Sequence, residues 1–67
     1  MPASWRYLRL VAIWDNKRGW IVPAGNEKRD LGDYMDDIGA NGWELVSVVP
    51  VPGGESLYLF FKRSLYN

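Results

Sequence analysis

The sequence predicts an α+β domain of order β-β-α-β-β, a three- to four-stranded antiparallel sheet with one helix packed on one face. Three observations predict it. Long runs rich in aromatic and branched residues lie near both ends of the sequence. A single apolar stripe of helical period lies between them. Polar breaks containing Gly or Pro separate the segments.

Trp5 to Trp14 reads as the first strand, with Leu8, Leu10, Ala12 and Trp14 on one face. Trp5, Tyr7, Val11 and Ile13 lie on the other, interrupted by Arg9. Apolar residues on both faces imply burial on both sides. Asp15-Asn16-Lys17-Arg18-Gly19 supplies a turn. Trp20-Ile21-Val22 returns as a short strand closed by Pro23, which has no amide hydrogen and suits an edge or a strand end. The count is four strands if it joins the sheet and three if it does not. Ala24 to Arg29 reads as a polar connection.

Asp30 to Ala40 reads as a helix, because Leu31, Tyr34, Met35 and Ile38 fall at i, i+3, i+4 and i+7. Asp30 suits the N-cap, and Asp33 suits the positive end of the helix dipole. Asn41-Gly42 ends the helix, both residues tolerating the left-handed conformation. Trp43 to Val51 is the next strand, with Trp43, Leu45 and Val49 on one side and Val46 and Val48 on the other. Pro50 marks an edge or a bulge in it. After the turn Pro52-Gly53-Gly54-Glu55, Ser56 to Ser64 forms the last strand. Leu57, Leu59 and Phe61 share one face, Tyr58 and Phe60 the other, and Leu65 to Asn67 form a tail. The preferred arrangement sets the first strand between the second strand and the strand that follows the helix, with the last strand outermost.

With 67 residues the chain is one domain, residues 1–67, too short to bury a large core. A chain of this size usually needs a staple, and with no Cys and no His it has neither disulfides nor the usual zinc ligands. Close packing or association of copies remains. Aromatics at 15% favour both, since these side chains bury the most area per residue. Eight basic residues balance eight acidic ones, so no long-range field draws in nucleic acid or an anionic membrane. The first ten residues, MPASWRYLRL, lack the apolar core of a secretory signal. No run approaches a membrane span, and the expected location is the cytoplasm.

Without His or Cys, the commonest general base and the best nucleophile are missing, and no Ser lies in a nucleophile motif, so the expectation is a non-enzyme without cofactor. Asp30, Asp33, Asp36 and Asp37 crowd the helix. Asp33 and Asp37 share a face that could hold a hard cation, but a solvated outer face accounts for them better. Trp43-Glu44 could stack on and hydrogen-bond a ligand. The structural alternative has Trp43 plug the helix–sheet corner and Glu44 cap backbone amides or pair with an Arg. Arg6, Arg9, Lys62 and Arg63 lie on strands that carry Tyr7, Tyr58 and Phe60, a pattern seen where sheets stack single-stranded bases. Zero net charge argues against it.

The segment Met35-Asp36-Asp37-Ile38-Gly39-Ala40-Asn41-Gly42-Trp43-Glu44-Leu45-Val46 resembles the signature of the small bacterial family known as domain of unknown function 4177. The opening strand Trp5-Arg6-Tyr7-Leu8-Arg9-Leu10 and the closing Leu57-Tyr58-Leu59-Phe60-Phe61-Lys62-Arg63 are similar to it as well. Arg6 stands where that family carries an acidic residue. The likeness covers the chain except for Asp15 to Arg29. It implies a strand–helix–strand–strand core and no particular activity.

One helix covers one sheet face, yet three strands are apolar on both. The expected function is therefore self-association, most simply a two-fold dimer through the second face, or binding of another protein. A small planar or nucleotide-like ligand is the alternative occupant. The residues expected at such a surface are Trp5, Tyr7, Arg9, Trp43, Glu44, Tyr58, Phe60 and Lys62.

Overall fold

The computed structural model describes residues 4–65, so part of the expected C-terminal tail lies outside the described residues. Its elements are β1 (Trp5–Asp15), β2 (Gly19–Ala24), β3 (Glu27–Asp30), α1 (Leu31–Ala40), β4 (Glu44–Pro50) and β5 (Ser56–Ser64). The strands form one antiparallel sheet in the order β3-β2-β1-β5-β4.

Three expectations are corrected. The sheet has five strands, because Glu27–Asp30, read as part of a polar connection, pairs with β2. Gly25, at φ 64°, and Asn26 separate the partners Ala24 and Glu27 as a two-residue turn. Gly at the first position of such a turn returns the chain directly into an antiparallel ladder. An edge strand needs only backbone partners, so charged side chains do not prevent pairing.

The second correction concerns strand order. β5, and not β4, lies beside β1, in a nine-residue register from Trp5↔Ser64 to Ile13↔Ser56. β1 and β5 are the two longest strands, and pairing them satisfies the most backbone groups. β4 goes to the margin, where Pro50 can sit without removing a central ladder bond.

The alternation expected for β4 also changes. A bulge between Leu45 and Ser47 leaves Val46 without a cross-strand partner, so Leu45 lies across from Phe61 and Val48 across from Leu59. One extra residue moves everything after it to the opposite face. Leu45 and Val48 thus share the helix side, and Ser47 and Val49 the other.

The core lies between α1 and the even-numbered residues of β1. Leu10, Ala12, Leu59 and Phe61 are buried, and Leu31, Tyr34, Met35 and Ile38 pack on them together with Leu8, Trp20, Trp43 and Leu57. The helix is capped by Asp30, whose carboxylate accepts the Asp33 amide at 3.1 Å. Replacing Asp30 by Ala is expected to cost about 1 kcal/mol, measured as a shift in the urea midpoint. At the other end Asn41 keeps a negative φ of −94°, and only Gly42, at φ 90°, takes the left-handed conformation. The β1–β2 turn is held by Asp15, whose carboxylate accepts the amides of Lys17 and Arg18 at 2.8 and 3.1 Å. Those two hydrogen bonds keep its pKa below the ordinary carboxylate value.

α1 approaches β2 and β3 most closely and does not roof the far side of the sheet. All seven residues of β4 are exposed. The chain measures 47 × 24 × 17 Å with a radius of gyration of 13.3 Å, against about 11 Å for a compact chain of this length. It exposes 5001 Å², whereas a folded monomer of its mass exposes roughly 4,300 Å². No helix among the described residues is long and apolar enough to cross a membrane.

Candidate functional site

The register of β1, β5 and β4 sorts their side chains into rows that cross the sheet. On the helix side the rows are Leu8–Phe61–Leu45, Leu10–Leu59–Val48 and Ala12–Leu57–Pro50. On the open side they are Tyr7–Lys62–Glu44, Arg9–Phe60–Ser47 and Val11–Tyr58–Val49, with Trp5 across from Ser64 at the end. Direct cross-strand partners share a face. Of the eight residues expected at a binding surface, Trp5, Tyr7, Arg9, Glu44, Tyr58, Phe60 and Lys62 therefore lie together on the face that α1 leaves uncovered.

Trp43 does not join them. It packs against the helix-side core, with the Arg63 guanidinium 4.6 Å from its ring centre. Arg63 also donates to the Asn41 carbonyl at 3.0 Å, which ties the helix end to β5. The reason is local: Gly42 turns the chain sharply after α1, so the next side chain falls into the helix–sheet corner. Trp43 plugs that corner, as its structural reading anticipates.

On the open face the cations lie over the rings. The Arg9 guanidinium sits 5.0 Å from the centre of Tyr58, and the Lys62 ammonium 4.3 Å from that of Trp5. Tyr58 and Phe60 meet edge to face at 6.4 Å. Such stacking fixes the long side chains at low cost and presents their apolar stems flat against the sheet. Tyr7, 74% exposed, is the most open aromatic. Trp5, Val49 and Phe60 are also exposed, so the surface is apolar at its centre and carries Arg9, Lys62 and Glu44 between and beside the rings.

The acidic helix residues are engaged separately. Asp30 caps α1, and Asp37 is ion-paired with Arg29, whose guanidinium is pushed further above its usual pKa by that partner. Among the described residues no group of acidic side chains converges as a metal site would require, and no pocket is enclosed.

Sequence reasoning overlooked the participation of Ser47 and Val49 in this face, because the bulge in β4 cannot be read from alternation. It did mark β4 as an edge or a bulged strand through Pro50, as the strand order bears out, but passed over the uncharged character of that margin. The signal was there: the run Leu45-Val46-Ser47-Val48-Val49-Pro50 holds no charge. No family model, curated protein or solved structure matches the chain.

Proposed function

We propose that this domain is a non-enzymatic self-associating module whose open sheet face packs against the same face of a second copy about a two-fold axis. The observation that carries this reading is the contiguous surface of Trp5, Tyr7, Arg9, Tyr58, Phe60 and Lys62 opposite the helix. Aromatic residues and Arg are the side chains enriched where proteins meet. Two related copies can bury such a surface without a partner of different sequence, because the same patch serves both sides. The chain's surface exceeds that of a compact monomer by about 700 Å², close to the roughly 800 Å² per partner of a standard interface. The lack of His and Cys supports a non-catalytic role. The resemblance to a bacterial family supports a bacterial cytoplasmic setting.

Light scattering after size exclusion, across a range of concentrations, tests the reading. The parent chain is expected to show a mass above that of the monomer. Tyr58→Glu and Phe60→Glu each place a charge in the middle of the face, and each is expected to weaken association at least tenfold, since burying an unpaired carboxylate costs several kcal/mol. An unchanged mass in both variants removes this face as the contact.

A further inference from the structure

The two margins of the sheet differ in kind. β3 is four residues long and reads Glu27-Lys28-Arg29-Asp30, a charge at every position. β4 is seven residues long, carries no charge beyond Glu44, and is exposed on both faces and along its outer edge. Edge strands in isolated domains are usually short, charged or covered, because their free N–H and C=O groups template pairing with another chain. β3 has that protection. The protection on β4 is limited to its bulge and the terminal Pro50.

The ladder identifies which groups of β4 are free. The Val51 amide donates to the Ser56 carbonyl at 3.0 Å, so residue 51 faces β5. Backbone groups of successive residues point to alternate sides in an antiparallel strand. Val49 therefore also faces β5, and the N–H and C=O of Val48 point outward. Pro50 lies at the next outward position, where its missing amide hydrogen breaks no bond within the chain.

We propose that β4 is a second self-association site, at which β4 of one copy pairs antiparallel with β4 of another about a two-fold axis through Val48, joining two sheets into one of ten strands. In this register the two Val48 residues exchange a reciprocal pair of N–H···O=C bonds, and Ser47 lies across from Val49 on the open face. Glu44 falls opposite the uncharged Pro52. No like charges meet, which is the usual obstacle to self-pairing of a strand. The exposed side chains Val46, Val48 and Val49, at 55%, 45% and 42%, gain cover. A second copy is the occupant because this register sets no like charges opposite one another and keeps the reciprocal Val48 bonds, the missing amide hydrogen of Pro50 across from Val46 removing only a flanking donor.

The proposal rests on the self-association reading above and adds a contact to it. Edge pairing leaves the open faces side by side on one continuous surface, and with its two-fold axis crossing that of the face contact at right angles the two contacts together build a closed tetramer. Val48→Pro removes the outward amide hydrogen and spares every bond inside the chain. It is expected to halve the mass, whereas Tyr58→Glu is expected to leave edge-paired dimers. The Val48 amide itself gives a readout free of any substitution. Its hydrogen exchange in the parent chain is expected to slow at least about tenfold between dilute and concentrated samples. An oligomer whose mass is untouched by Val48→Pro, with a Val48 amide that exchanges freely, overturns edge pairing and leaves face packing standing. Loss of mass in Val48→Pro with none in Tyr58→Glu or Phe60→Glu supports the edge and removes the face. A parent chain that is monomeric at millimolar concentration overturns both.

Discussion

Shortening Leu59 to Ala is expected to remove about 2–5 kcal/mol of stability, a large share of what a domain this short has. Leu59 is 2% exposed and lies in the central row of the helix side, between Leu10 and Val48. It is one of six buried apolar residues among those described, and with Ile21 the largest that is fully enclosed. Removing a buried Leu side chain to Ala costs about 2–5 kcal/mol, which includes the cavity left behind. A domain of 67 residues has a total stability of roughly 3–10 kcal/mol. The neighbours cannot fill the gap easily, because Ala12 is already small and sits in the adjacent row, and Phe61 is fixed by Leu8 across the ladder. Urea unfolding followed by circular dichroism, at a fixed protein concentration, measures the loss. A change under about 1 kcal/mol would mean that the core tolerates a void at its centre, and that packing at this row is not what holds α1 on the sheet.

The second large effect is expected at Trp43. Its ring fills the corner between the end of α1 and β5, beneath the Arg63 guanidinium. Truncation to Ala removes the ring from the core and strands the cation above it. The expected cost is about 3 kcal/mol, the lower end of the range for Trp→Ala because Trp43 is only half-buried. Arg63→Lys separates the two contributions. Lysine keeps the charge but loses the flat stack and the fork that reaches the Asn41 carbonyl, so a loss of about 1 kcal/mol is expected. If Trp43→Ala unfolds at the same urea concentration as the parent chain, the corner is a passive contact, and a ligand-stacking role for that ring becomes the better reading.

How much of this was legible in the sequence differs from element to element. The stripe Leu31, Tyr34, Met35 and Ile38 announced α1 because helical periodicity is a local property, and the Asp30 cap follows from the same local rule. Ser56–Ser64 was bounded by its turn and its charges. The pairing of β1 with β5 was not legible. Two apolar strands offer equivalent ladders to a third, and the choice falls to length and to the position of Pro50, which are properties of the whole sheet. β3 was hidden for a related reason: its side chains contribute little to its pairing, and side chains are all that composition reports. The open face was legible in membership and not in identity. Alternation placed Tyr7 with Trp5, and Phe60 with Tyr58, but both faces of each strand were apolar enough to receive the helix. The bulge at Val46 decided the facing of β4, and a single inserted residue leaves no mark on hydropathy.

The charged margin at β3 has a consequence for how far assembly can run. A sheet with two bare edges adds copies at both ends and grows as a fibre. Here one end is stopped: Arg18 already donates to the Lys28 carbonyl at 2.6 Å, and Arg29 is held by Asp37 of the helix. A newcomer at that end would have to displace these partners and set its own strand against four consecutive charged residues. The molecule thus behaves as a monofunctional monomer in the polymer chemist's sense, one reactive end and one terminated end. Any strand-to-strand joining of such units ends at the first coupling.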